Sequence, residues 1–350
     1  MKKLGNLLRK AVLLLAGVMF SISAVAQPQG LGLERAAAVK AARVGQLLAT
    51  PGVVGAGVGL DGAGRGAIHI LVIDNAAAAK MPNVMDDVAV VTQVTGEILA
   101  LRGLEPVAAE RPAGTKPTRD RIDPSGYFNR PVPIGVSTGN AQVGTPCSAG
   151  TIGCRVIKGN AVYALSNNHV YARENDAAIG EPVSQPGPYD TRCIVSSKYD
   201  LGSLADFVEI NFSGANHVDA AIALTTTDLL GNATPANGYG VPKAATTEAV
   251  LGDAVQKYGR TTALTKGAIS AVDVMINVGY SKGTATFANQ ILVFSRRAFI
   301  KAGDSGSLLV TDPGKNPVGL LFAGNSTGQY AFANPIGAVI KGLGVTIDGE

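Results

Sequence analysis

The chain has 350 residues, 46% of them hydrophobic, with 30 Lys and Arg against 26 Asp and Glu and a formal charge of +4. That length exceeds one typical domain, and apolar content with many Gly, Val, Ala and Thr suits a β-rich globule. Lys2, Lys3, Arg9 and Lys10 carry the whole excess, so the rest of the chain holds 26 charges of each sign and offers no general basic surface to nucleic acid.

Those four basic residues open a leader. Ala11 to Phe20 form an apolar run, and Ala24-Val25-Ala26 a small-residue cleavage site before Gln27. A spanning helix needs about 20 apolar residues and no such site. Residues 1–26 therefore predict a signal peptide, and with it export to the periplasm or the exterior. No membrane association is expected once the leader is gone.

Residues 30–104 predict a small α+β unit, an accessory or pro-domain. An Ala-rich helix spans Leu33 to Leu48 and stops before Pro51-Gly52. Val54, Ala56, Val58 and Leu60 alternate with glycines as a strand does. Ala67 to Ile73 form a second strand, Asn75 caps a short helix to Lys80, and Val88 to Val94 supply a third strand. Residues 105–127 predict a linker, with Pro106, Pro112, Pro117 and Pro124 among charges.

From 128 to 350 short strands and turns recur without a long helix. Gly159-Asn160 separates Arg155–Ile157 from Ala161–Leu165, and Asp312-Pro313-Gly314 separates Leu308–Val310 from Val318–Phe322. Such a series predicts closed or packed antiparallel sheets.

Within it lies Gly303-Asp304-Ser305-Gly306. A serine between two glycines needs a tight turn, which lifts its hydroxyl clear and can aim the N–H groups of Gly303 and Ser305 into one small space. A hairpin turn is the plain alternative. Upstream stand Leu165-Ser166-Asn167-Asn168-His169 and His217-Val218-Asp219-Ala220-Ala221, so His169, Asp219 and Ser305 follow in that order, 50 and 86 residues apart. Tyr258-Gly259-Arg260-Thr261-Thr262 adds a fourth segment.

Together these segments resemble the chymotrypsin-like serine proteases, and among them the bacterial branch related to the plant narrow-leaf serine proteases. The resemblance implies two β-barrels, about 128–235 and 240–350, with a cleft between them. It implies an exported serine endopeptidase acting on protein or peptide through an acyl-enzyme, with His169, Asp219 and Ser305 as the triad and Gly303 and Ser305 as the oxyanion hole. The alternative is a catalytically idle protease-fold binding protein. No cofactor or metal is expected, since three scattered histidines make no ligand cluster.

The resemblance also places Phe299 at the floor of the primary pocket and Phe322, Ala323 and Gly324 on its wall. With no carboxylate there, cleavage after neutral, small or apolar residues is expected. One departure stands out. Phe322 or Ala323 occupies the place where this clan usually supplies a serine near the catalytic Asp.

Rival residues are weaker. His217 shares a strand face with Asp219 and His69 lies mid-strand in the amino-terminal unit. Asp206 precedes Phe207-Val208 as a strand-end residue, and Asp304 is expected to hold the loop under Ser305. Among Cys147, Cys154 and Cys193 spacing permits all three pairings. Cys147 and Cys193 both sit in loops near the His169 segment, and that pair is favoured. The amino-terminal unit, lacking chemistry of its own, is expected to assist folding or to shield the cleft.

Overall fold

The computed structural model describes residues 32–100 and 122–350. The expected signal peptide and most of the expected linker lie outside the described residues.

The amino-terminal unit runs α1 (Leu33–Leu48), β1 (Val53–Leu60), β2 (Gly66–Val72), α2 (Asn75–Ala78), β3 (Val84–Met85), β4 (Val88–Val94) and β5 (Leu99–Ala100). One stripe of α1 (Ala36, Val39, Leu47) packs on Val53, Val58, Ile68 and Ile70. Burying each such aliphatic side chain contributes about 1.5–3 kcal/mol. Asp74, not Asn75, caps α2, because its carboxylate accepts the Ala77 N–H at 2.7 Å.

The rest of the chain gives β6 (Ser137–Asn140), β7 (Gly150–Thr151), β8 (Cys154–Lys158), β9 (Ala161–Ser166), α3 (Asn168–Tyr171), β10 (Pro182–Ser184), β11 (Asp200–Phe207), β12 (Ala215–Asn216) and β13 (Ala221–Thr225). Then come β14 (Ala254–Gly259), β15 (Ala263–Tyr280), β16 (Gly283–Phe294), β17 (Leu308–Thr311), β18 (Pro317–Gly324), β19 (Tyr330–Pro335), α4 (Ile336–Leu343) and β20 (Thr346–Ile347).

The first sheet has the order β20-β8-β9-β13-β11-β10-β6-β7. Its inward residues, among them Val156, Leu165, Leu201, Leu204 and Ile222, form one apolar core. The carboxyl terminus returns to that core. Ile336, Val339 and Leu343 of α4, followed by Val345 and Ile347, are buried in it. Strands β16-β19-β18-β17-β14-β15 pair in sequence, and the β15–β16 pairing closes them into a ring. The fold is thus mainly β, on the two-barrel chymotrypsin plan, preceded by the α+β unit.

Two strands exceed the expected short length. β15 has 18 residues and β16 has 12, so their hairpin leaves the barrel as an arm. Register shifts at Ile269/Ala271, Ala271/Val274 and Val274/Ile276 bend it, as bulges do. β1 pairs antiparallel with the middle of the arm, Gly55 opposite Ile276 and Gly59 opposite Ala271. The alternate glycines of β1 make that approach possible. A Cβ at Gly55 would stand 2.5 Å from Ile276 Cδ1, and one at Gly57 2.7 Å from Val274 Cγ2. The unit's sheet is consequently continuous with that of the second barrel.

Among the described residues no helix is long and apolar enough to cross a membrane.

Candidate active site

β9 delivers its last residue, Ser166, to the barrel rim, and the chain turns at once into α3. This places His169 on a one-turn helix, fully buried against Asp219, two residues ahead of β13. The imidazole Nδ1 lies 2.5 Å from Asp219 Oδ2, and the His169 backbone N–H donates to Oδ1 at 3.2 Å. An ionised carboxylate only accepts, so Nδ1 carries the ring proton and Nε2 keeps its lone pair. Nε2 is buried and has no hydrogen-bond partner among the described residues. Leaving such an atom unpaired costs about 1–3 kcal/mol.

Asp219 is held on every side. Its N–H donates to Asn334 Oδ1 at 3.0 Å and its carbonyl accepts from Asn167 Nδ2 at 2.6 Å. The phenol of Tyr280 donates to Oδ2 at 2.8 Å. Asn334 is fixed by Gln290 at 2.6 Å, and Gln290 in turn bonds the His217 carbonyl at 2.9 Å. His217 therefore contributes backbone to this frame. Asp206 pairs with Lys158 at 3.0 Å, away from this cluster.

The second barrel brings Ser305. Thr151, at the end of β7, accounts for its placement. The Thr151 N–H donates to the Ser305 carbonyl at 2.8 Å, and its hydroxyl donates to the Gly303 carbonyl at 2.8 Å. The Thr151 carbonyl accepts from Ser166 Oγ at 2.8 Å. One threonine thus joins the turn before His169 to the loop around Ser305. Gly303 has φ +95°, and a Cβ there would stand 2.4 Å from Arg260 Nη1, so only glycine fits. Ser305 Oγ rests 3.2 Å from the Phe322 carbonyl, to which it donates.

Asp304 finds its partners in the strand and turn ahead of it. Its carboxylate accepts from the N–H groups of Thr261 (2.8 Å), Thr262 (3.2 Å) and Lys301 (2.9 Å), and from Thr262 Oγ1 (2.7 Å). Lys257 Nζ lies 3.4 Å away, with both side chains fully buried. Burial pulls the Lys257 ammonium below its usual range, and the Asp304 charge opposes that pull. Arg260 forms a forked pair with Asp190. Burial lowers its affinity for a proton, but hydrogen bonds and charge from Asp190 outweigh that and raise it.

Phe299 and Phe322 are fully buried in two apolar clusters. The Phe299 carbonyl accepts from Thr265 Oγ1 at 2.8 Å, and the Phe322 ring packs 4.8 Å from that of Phe287. Ala323 and Gly324 are edge positions of β18, paired antiparallel with Ala100 and Leu99 of β5. Cys147 and Cys193 are joined by a disulfide, with Cα atoms 5.6 Å apart. Cys154 is free and buried, and burial pushes its thiol pKa up. His69 bonds the Leu60 carbonyl at 3.0 Å within the amino-terminal unit. Among the described residues no three His, Cys, Asp or Glu gather as a metal site requires.

Three contributors escaped the sequence analysis. Lys257 left a trace, a lone charge on the same face of β14 as buried Val255. Thr151 and Tyr280 left none, because their contacts join segments 152 and 61 residues apart.

Comparison with curated proteins gave no match. Among solved structures, a glutamic acid specific serine protease is 23% identical, covering 62% of this chain and 100% of its own, with TM-score 0.45. Thermobifida fusca protease A is 20% identical over 63% and 100%, TM-score 0.45. A Cellulomonas bogoriensis chymotrypsin is 21% identical over 64% and 100%, TM-score 0.43. Residues 194–334, which include Asp219 and Ser305, match the family model of the Nal1 C-terminal domain, and the chain resembles the chymotrypsin-like serine proteases.

Proposed function

We propose that this chain is an exported serine endopeptidase in which His169, Asp219 and Ser305 act as one catalytic unit. The observation that carries this reading is the buried His169, hydrogen-bonded through Nδ1 to Asp219 while Nε2 stays unpartnered. In the first step Ser305 Oγ attacks the carbonyl carbon of the scissile peptide, and its proton passes to Nε2. The N–H groups of Gly303 and Ser305 stabilise the oxyanion. Collapse breaks the C–N bond, the imidazolium gives its proton to the leaving amine, and an acyl-Ser305 ester remains. Water, deprotonated by Nε2, then hydrolyses the ester and restores the serine. Asp219 holds the tautomer and stabilises the imidazolium without taking a proton.

The amino-terminal unit shields the site. Beside Phe322, whose carbonyl holds Ser305 Oγ, the β18 edge at Ala323–Gly324 is already paired with β5. An exposed edge next to a nucleophile is where an extended peptide adds as a further strand. Here the chain fills it itself.

A mixed peptide library tests substrate class. The expected result is cleavage after neutral, small or apolar residues, lost in Ser305→Ala. Cleavage dominated by Arg or Lys at the first position would show that Phe299 and Phe322 do not border the primary pocket, since an unpaired basic head beside them costs several kcal/mol.

A further inference from the structure

The serine expected near the catalytic Asp is absent, Phe322 and Ala323 standing in its place, yet the Asp219 carboxylate is fully provided for. From the far side, Oδ2 accepts the phenol hydroxyl of Tyr280 at 2.8 Å. Tyr280 is the last residue of β15, at the tip of the long arm. Its ring stands edge-on to the His169 imidazole at 6.0 Å, edge-on to Phe212 at 5.9 Å, and stacked on Phe287 at 6.0 Å. Those contacts leave the ring little room to turn.

The arm tip is clamped as well. Glu174 follows His169 by five residues and is fully buried. Its carboxylate accepts from the Ser281 N–H at 3.2 Å, from Ser281 Oγ at 2.6 Å and from the Lys282 N–H at 3.3 Å. Lys282 Nζ reaches back to the Glu174 carbonyl at 2.7 Å and to Asp176. The loop that carries His169 thus grips the residues just beyond Tyr280. On the other flank, β5 runs parallel to the arm at Gly279, and the Gly279 N–H donates to the Ile98 carbonyl at 2.9 Å.

We propose that Tyr280 is a positioning residue for catalysis, supplying the one hydrogen bond to the Asp219 carboxylate that does not come from His169 itself. The inference rests on the catalytic reading above. Asp219 Oδ2 receives the His169 Nδ1 proton and the Tyr280 hydroxyl together, so the hydroxyl fixes the carboxylate plane in which the imidazole must lie. Without it the carboxylate keeps only the two donors of His169, Nδ1–H on Oδ2 and the longer 3.2 Å backbone N–H on Oδ1, and is freer to rotate about its Cβ–Cγ bond. The tyrosine touches no substrate and acts only through Asp219. This gives the arm a task that barrel closure does not require, delivering one hydroxyl across the interface between the two sheets.

Tyr280→Phe removes a single oxygen and keeps the ring packing. In the full chain, kcat on a small activated ester should fall about 10–100-fold with KM unchanged, as expected for a lost hydrogen bond to a charged group that orients the base. The low-field proton resonance of His169 Nδ1–H should shift in the same variant, a signature that a purely packing role for the ring would leave in place. Wild-type kcat together with an unmoved resonance would overturn the proposal. Comparison with His169→Ala separates the two levels. If His169→Ala hydrolyses the ester at the wild-type rate, the catalytic reading itself fails and the proposal falls with it.

Discussion

At the scale of single residues, two buried carboxylates frame Ser305, and their donors give them different work. Asp219 faces a titratable ring and one phenol. Asp304 faces backbone amides, a threonine hydroxyl and the Lys257 ammonium. Its task is to lock the turn Arg260–Thr262 to the loop that carries Ser305. Removing one member of a buried pair generally costs about 3–5 kcal/mol. Asp304 retains four other donors, so Lys257→Met should destabilise the fold by about 3 kcal/mol, the lower end of that range. Denaturant unfolding checks this figure. A change under about 0.5 kcal/mol, the ordinary effect of a surface substitution, would show that the ammonium contributes nothing to the loop.

At the scale of elements, the amino-terminal unit meets the second barrel in two places, β1 along the arm and β5 between the arm and β18. Asn325, next to that edge, also bonds the Thr95 carbonyl at 2.9 Å. If β5 occupies the substrate edge, breaking its pairing should free it. Changing Leu99 and Ala100 together to proline removes both N–H donors. The expected result is about a tenfold rise in kcat/KM for a four-residue peptide substrate, matching two ladder bonds of about 0.5–1.5 kcal/mol each. A small ester that needs no edge should show no change. Equal rates on the peptide before and after would mean that β5 does not compete with substrate.

Legibility in the sequence followed the range of the contacts. Leu33–Leu48, the β1 alternation and the hairpins at Gly159-Asn160 and Asp312-Pro313-Gly314 depend on neighbours in sequence, and the structure has them where periodicity and turn residues put them. The segments bearing His169, Asp219 and Ser305 were picked out by their order along the chain and their resemblance to the chymotrypsin-like serine proteases, with the cost of burying a carboxylate adding to the reading of Asp219. The arm could not be. Nothing local distinguishes one strand of 18 residues from two short ones, and the bulges that bend it depend on the partner strand. Pairing of Ala56 with Met275 joins residues more than 200 positions apart, beyond any periodic signal. Helix α4 was likewise missed, since Ile336–Leu343 is short and two of its eight residues are glycines.

At the scale of the whole molecule, the site exists only where two sheets meet. The first contributes His169, Asp219 and Thr151; the second contributes Ser305, Gly303 and Tyr280. Polar bonds across that junction, from Thr151 to Gly303 and Ser305 and from Tyr280 to Asp219, hold the two halves in register. Covalent labelling tests hydroxyl chemistry at Ser305 without relying on substrate pairing at the edge. The full chain should be treated with an active-site fluorophosphonate, digested and mapped by mass. The expected result is one adduct per molecule, on Ser305, lost in both Ser305→Ala and His169→Ala. A folded wild-type chain that takes up no label, or that labels equally without His169, would contradict it and leave a protease fold that binds and does not cut.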